Sequence, residues 1–88
     1  MELKELEKEF IGLGEVKGDK FEQVKSSEFG YIYRRIFKDG GECYEVFKRR
    51  VNNQFNTVSY PKSKSFGLWA WCCSSYESAL KRFLTFER

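Results

Sequence analysis

The sequence predicts an α+β domain: an N-terminal helix, a mostly antiparallel sheet of three to five strands, and a C-terminal helix packed on that sheet. Three observations predict it. Residues 31–60 are runs of aromatic and β-branched residues broken by the turn signals Asp39-Gly40-Gly41 and Asn52-Asn53. Leu3, Leu6, Phe10 and Ile11 recur at helical spacing, with Glu and Lys between them. Ser74-Ser75-Tyr76-Glu77 has the form of a capping box, in which Ser74 satisfies a first-turn amide and Glu77 reaches back.

The elements follow in order. The N-terminal helix spans residues 3–11 and stops at Gly12 and Gly14. Phe21 to Val24 is a short edge strand. Tyr31 to Lys38 and Cys43 to Val51 form a hairpin, and Phe55 to Tyr60 is a third strand that Pro61 ends, because proline cannot donate to a ladder. Pro61 to Ser65 is a polar, basic loop. Phe66 to Cys73 is apolar on both alternating faces, as in a strand buried on both sides. A last helix runs to about Glu87 with Tyr76, Ala79, Leu80, Phe83 and Leu84 as its stripe. With 88 residues and no internal boundary, residues 1–88 make one domain. Phe47 and Trp71 are the expected core anchors.

Composition excludes several functions. The chain has no histidine, which removes the commonest general base and metal ligand. Its three cysteines, Cys43, Cys72 and Cys73, fall short of a four-ligand zinc set. Their odd number reads as reduced thiols in a cytoplasmic protein. Glu42 and Glu45 stand on opposite faces of a strand and cannot share acid–base work. Gly12-Leu13-Gly14 lacks the rest of a phosphate loop. The expectation is therefore a protein that is not an enzyme, uses no cofactor or metal, and has no membrane span or targeting segment.

Aromatic residues make up 18% of the chain, and the charge is uneven: residues 1–30 carry net −3, residues 31–88 net +6. Two-residue turns at Asp39-Gly40 and Asn52-Asn53 set a register in which Ile36 faces Cys43, Arg34 faces Glu45 and Ile32 faces Phe47. One sheet face then holds Ile32, Ile36, Cys43, Phe47, Val51, Val58 and Tyr60, and is the core side. The other gathers Tyr33, Arg35, Tyr44, Lys48 and Arg50, with Lys62 and Lys64 in the adjoining loop. Cations there would neutralise phosphates and rings would stack on bases. A three-residue turn at either tip would exchange the faces.

The order strand, strand, strand, helix over residues 31–87 resembles in outline two DNA-binding modules, the arm-type domain of tyrosine integrases and the plant AP2-type domain. The matching features are Tyr33-Arg34-Arg35, Tyr44-Glu45-Val46 and the helix start at Ser74 to Ala79. The resemblance implies a three-stranded sheet that enters the major groove; the run Phe66 to Trp71 departs from both patterns. The compact, aromatic-rich chain is also similar to small proteins of phages and mobile elements. Two functions are expected: nucleic-acid binding through the basic, aromatic face, or a protein-interaction module such as a small inhibitor, adaptor or homodimer. An exposed basic face favours the first and a covered face the second.

Overall fold

The structure is a computed structural model that describes residues 3–12 and 17–86. Its elements are β1 (Glu9–Ile11), β2 (Lys20–Ser26), β3 (Gly30–Ile36), β4 (Glu42–Lys48), β5 (Val51–Asn52), β6 (Thr57–Val58), β7 (Ala70–Cys73) and α1 (Tyr76–Thr85). Five of the strands form one antiparallel sheet in the order β1-β2-β3-β4-β7, and β5 pairs with β6 apart from it. No helix is long and apolar enough to cross a membrane among the described residues.

The N-terminal helix is not seen. Residues 3–8 run extended and lead into β1. The Lys4 N–H donates to the Asn56 carbonyl, and the Val58 N–H donates back to the Lys4 carbonyl. An isolated helix of nine residues is marginal in water, and the extended path lays Leu3, Leu6 and Phe10 against the aromatic core instead. β2 is likewise longer than expected and lies inside the sheet, with a bulge between Gln23 and Lys25 that leaves Val24 exposed.

The β3–β4 hairpin closes through a three-residue loop, Lys38-Asp39-Gly40. The Phe37 N–H donates to the Gly41 carbonyl, and the Gly40 N–H to the Phe37 carbonyl. Gly40 has φ +99°, which suits the left-handed residue that ends such a turn. The extra loop residue slips the register by one: Arg35 faces Cys43, Tyr33 faces Glu45, Tyr31 faces Phe47 and Ile32 faces Val46. The expected partition of faces is therefore overturned. Ile32 and Phe47, expected together, lie on opposite faces; so do Tyr33 and Tyr44.

Each face carries a packed core. On one, Tyr31, Tyr33, Phe21, Phe47 and Ala70 pack under Leu3, Leu6, Phe10, Val58, Tyr60 and Trp69. On the other, Ile32 and Val46 pack under Ala79, Phe83 and Phe86 of α1 and its C-terminal end. The expected third strand does not join the sheet. Of its residues only β6, Thr57–Val58, is strand; it pairs with β5 in a hairpin turned at Asn56 (φ +54°), and β7 takes the place beside β4. Residues 66–69 are loop, not strand, so Leu68 is exposed while Trp69 meets Phe47 edge-on. Phe47 is fully buried as expected; Trp71 is half-buried between Phe86 and the Arg82 guanidinium. The N-cap of α1 is Ser75, whose Oγ accepts from the Ser78 N–H, one residue later than the sequence suggests.

Candidate binding groove

Register alternation puts Phe10, Phe21, Arg35, Glu45 and Cys72 on one face, each from a different strand of the five. These residues line a groove of about 980 Å³ that crosses the five strands. Tyr60, Pro61 and Lys62 form one wall, Phe66 and Gly67 border it beside β7, and Ile11 and Gly12 close the β1 end. Strands lie about 4.8 Å apart, so crossing five of them spans roughly 19 Å.

The floor is an ion network set among rings. Asp19 takes the Arg35 Nε at 2.9 Å and Nη2 at 2.7 Å, and Glu45 takes Nη1 at 3.1 Å. The second Asp19 oxygen accepts the Lys38 N–H, and the second Glu45 oxygen accepts the Tyr60 hydroxyl. Asp19 and Glu45 are both buried, and no buried side-chain polar atom among the described residues lacks a partner. The Arg35 guanidinium also lies over the Phe37 and Phe21 rings at 4.9 and 5.5 Å. Phe10 stacks on Phe21 at 4.7 Å, and Tyr60 meets Phe10, Phe21, Tyr33 and Phe47 edge-on.

These contacts move the titrations. The Arg35 guanidinium holds the Asp19 carboxyl below its ordinary range despite desolvation. Desolvation alone would lower the Arg35 pKa; the hydrogen bonds to Asp19 and Glu45 more than offset it. Burial raises the Tyr60 hydroxyl far above its ordinary value, with the Glu45 charge adding to the effect. Burial also pushes the Cys43 thiol up to about 12, helped by its hydrogen bond to the neighbouring Cys72 thiol.

The seven residues expected to contact nucleic acid do not share a surface. Tyr33 is fully buried, its hydroxyl donating to the Glu7 carbonyl at 2.6 Å and accepting from Gln23 at 2.9 Å. Arg35 is in the groove floor. Tyr44 lies on the helix side, edge-on to Tyr76. Lys48 is exposed with its ammonium 6.0 Å from the Phe86 ring centroid. Arg50, Lys62 and Lys64 lie outside the five-stranded sheet. The Arg50 guanidinium lies 5.3 Å over Trp69, and the loop carrying Lys62 and Lys64 folds back so that the Trp69 N–H donates to the Ser65 carbonyl. The one-residue slip separates the first four.

The groove itself was not foreseen. Asp19 reads as a turn residue and Glu45 as a cross-strand partner of Arg34; Arg34 instead pairs with Glu22 and Glu42. The only local signal is Tyr60-Pro61, a proline directly after an aromatic at the end of a strand run. Among the described residues no cluster of three or more acidic, cysteine or histidine side chains is arranged to hold a metal ion. Comparison with family models, curated proteins and solved structures gives no match.

Proposed function

We propose that the protein is a small non-enzymatic binding module whose partner is another protein, docked in the groove as an extended segment. The groove carries this reading. Its volume of about 980 Å³ lies at the upper end of ligand clefts, which run to roughly 1,000 Å³. A path of roughly 19 Å matches about six residues of extended chain at about 3.3 Å each. The aromatic floor residues Phe10 and Phe21 stand on strands, so they lose little freedom when a partner docks. The free thiols suit a reducing compartment, and we place the protein in the cytoplasm.

The test is a partner isolated on the full chain, identified, produced separately and titrated against variants. Binding should be lost with Phe66→Glu in the groove wall and kept with Leu84→Glu on the outer side of α1. The opposite pattern would move the site to the helix and end the groove reading.

One observation favours a second reading, nucleic-acid binding: the Arg50 guanidinium lies over the Trp69 ring, and Lys62 and Lys64 are exposed in the loop that precedes Trp69 in the chain. Labelled single- and double-stranded oligonucleotides test it. Affinity should fall with salt at a slope of about −0.7 to −0.9 per phosphate neutralised, and Arg50→Glu with Lys64→Glu should flatten that slope. Absence of binding at about 50 mM salt, a condition that strengthens phosphate contacts, would close this reading.

A further inference from the structure

The groove has a polar centre that an apolar segment alone would leave unused. A guanidinium carries five N–H donors. Asp19 takes two of those of Arg35 and Glu45 takes one, so two remain without a partner among the described residues. The exposures of the three side chains differ in a telling way: 21% for Arg35, 9% for Asp19 and 4% for Glu45. An incoming group therefore meets the guanidinium, with the two carboxylates beneath it as supports that fix its plane. Lys62 stands exposed on the rim, and Lys38 lies close enough to act on the Asp19 carboxylate. Three cations against two carboxylates leave this part of the groove with one net positive charge.

We propose, building on the docking reading above, that the groove recognises a carboxylate carried on an apolar segment of a partner protein. An Asp or Glu flanked by aliphatic or aromatic residues would place its oxygens on the two spare N–H groups of Arg35, while its neighbours lie on Phe10, Tyr60 and Phe66. A single carboxylate matches the net charge of one; a phosphate would bring close to two. The pre-set guanidinium plane suits a carboxylate, whose two oxygens take parallel N–H donors. The anchor also sets a register for the segment, which apolar walls alone would not.

The experiment uses the full chain and three pools of fluorescein-labelled hexapeptides capped at the C-terminus as amides. The flanking positions are mixed aliphatic and aromatic residues, and one central position is Glu, Gln or Lys. Anisotropy should show the Glu pool binding about tenfold more tightly than the Gln pool, as expected for a charge-assisted hydrogen bond replacing a neutral one, with the Lys pool weakest. Lys62→Glu should reduce binding of the Glu pool several-fold and leave the Gln pool unchanged. Arg35→Gln should erase the Glu preference; if that variant does not fold, Lys62→Glu alone decides. Equal binding of the Glu and Gln pools, each shifting Phe10 and Phe66 resonances, would overturn acid recognition and leave groove docking intact. No binding by any pool would overturn both. A concentration-dependent dimer abolished by Phe66→Glu would assign the groove to a second copy of the chain and overturn the proposal.

Discussion

Gly30→Ala isolates the contact between sheet and helix end. Gly30 starts β3 opposite Lys48 and its backbone is not in the left-handed region, so alanine is acceptable there conformationally. The space is the obstacle. A Cβ would sit 2.6 Å from the Phe47 carbonyl oxygen and 2.6 Å from Cδ2 of Phe86. The ring could swing away, but the carbonyl belongs to the β4 backbone and cannot move without disturbing the ladder. Overpacking of this kind costs about 1–3 kcal/mol. Loss of chain freedom in the unfolded state returns about 0.4–1 kcal/mol, so a net destabilisation of about 1–2 kcal/mol is expected. A domain of this size holds about 4–13 kcal/mol in total, so the shift in a urea midpoint would be plain. Phe86→Leu in the same chain should recover part of the loss, and a double-mutant cycle would separate the ring clash from the carbonyl clash. Gly30→Ala with unchanged or higher stability would show that Phe86 does not cover Gly30, and would refute the placement of the chain after α1.

Four other outcomes follow from the same geometry. Ser75→Ala should cost about 0.5–2 kcal/mol in thermal or chemical unfolding, and Ser74→Ala almost nothing; the reverse order would restore the earlier helix start. The Asp19 pKa is lowered by folding, so its contribution is present above its unfolded value near 3.8 and is lost as pH falls below it. Asp19→Asn should flatten the acid limb of a stability–pH curve, and an unchanged limb would remove Asp19 from the network. Tyr33 is raised from 10.0 to about 12 and Tyr60 is raised too, so their contribution is intact below pH 10 and fades as pH climbs toward 12; tyrosinate absorbance should rise in step with loss of near-UV circular dichroism, and ionisation within a folded chain would contradict their burial. Thiol titration should count three free thiols after denaturation, with exposed Cys72 reacting quickly in the native protein and buried Cys43 only on unfolding; equal native rates would show Cys43 to be accessible.

How much of this was legible depended on the range of the determining contact. The β3 and β4 runs, their turn and α1 are set by local chemistry, and each lies where the residue pattern puts it within a few positions. The N-terminal helix failed because Leu3, Leu6 and Phe10 satisfy a helical period and also an extended path over an aromatic core. Only the partners at Asn56 and Gln23, far along the chain, decide between them. The register failed by one residue. Asp39-Gly40 is a valid two-residue turn, but Gly41 makes the three-residue form equally open, and both glycines take positive φ. One residue is enough to exchange every side chain across the sheet. That slip dissolved the expected surface of Tyr33, Arg35, Tyr44 and Lys48, and it put Arg35 on the face of Glu45; Asp19 reaches Arg35 from just before the start of β2.

The buried network is the least economical part of this small domain, which is a reason to connect it with binding. Ion pairs taken out of water lose hydration that their mutual attraction barely recovers, and apolar replacements of similar volume are often as stable. The surrounding face is otherwise aromatic, and Tyr31, Tyr33 and Phe47 fill its other half without charges of their own. Covering Arg35, Asp19 and Glu45 with a further pair of large side chains would have extended that core across the sheet. Instead the core stops where the ions begin, and the groove opens above them. The same residues thus interrupt the packing and furnish, among the described residues, the one guanidinium that lines the groove. A structural role alone accounts for the first of these; recognition of a partner's acidic segment accounts for both.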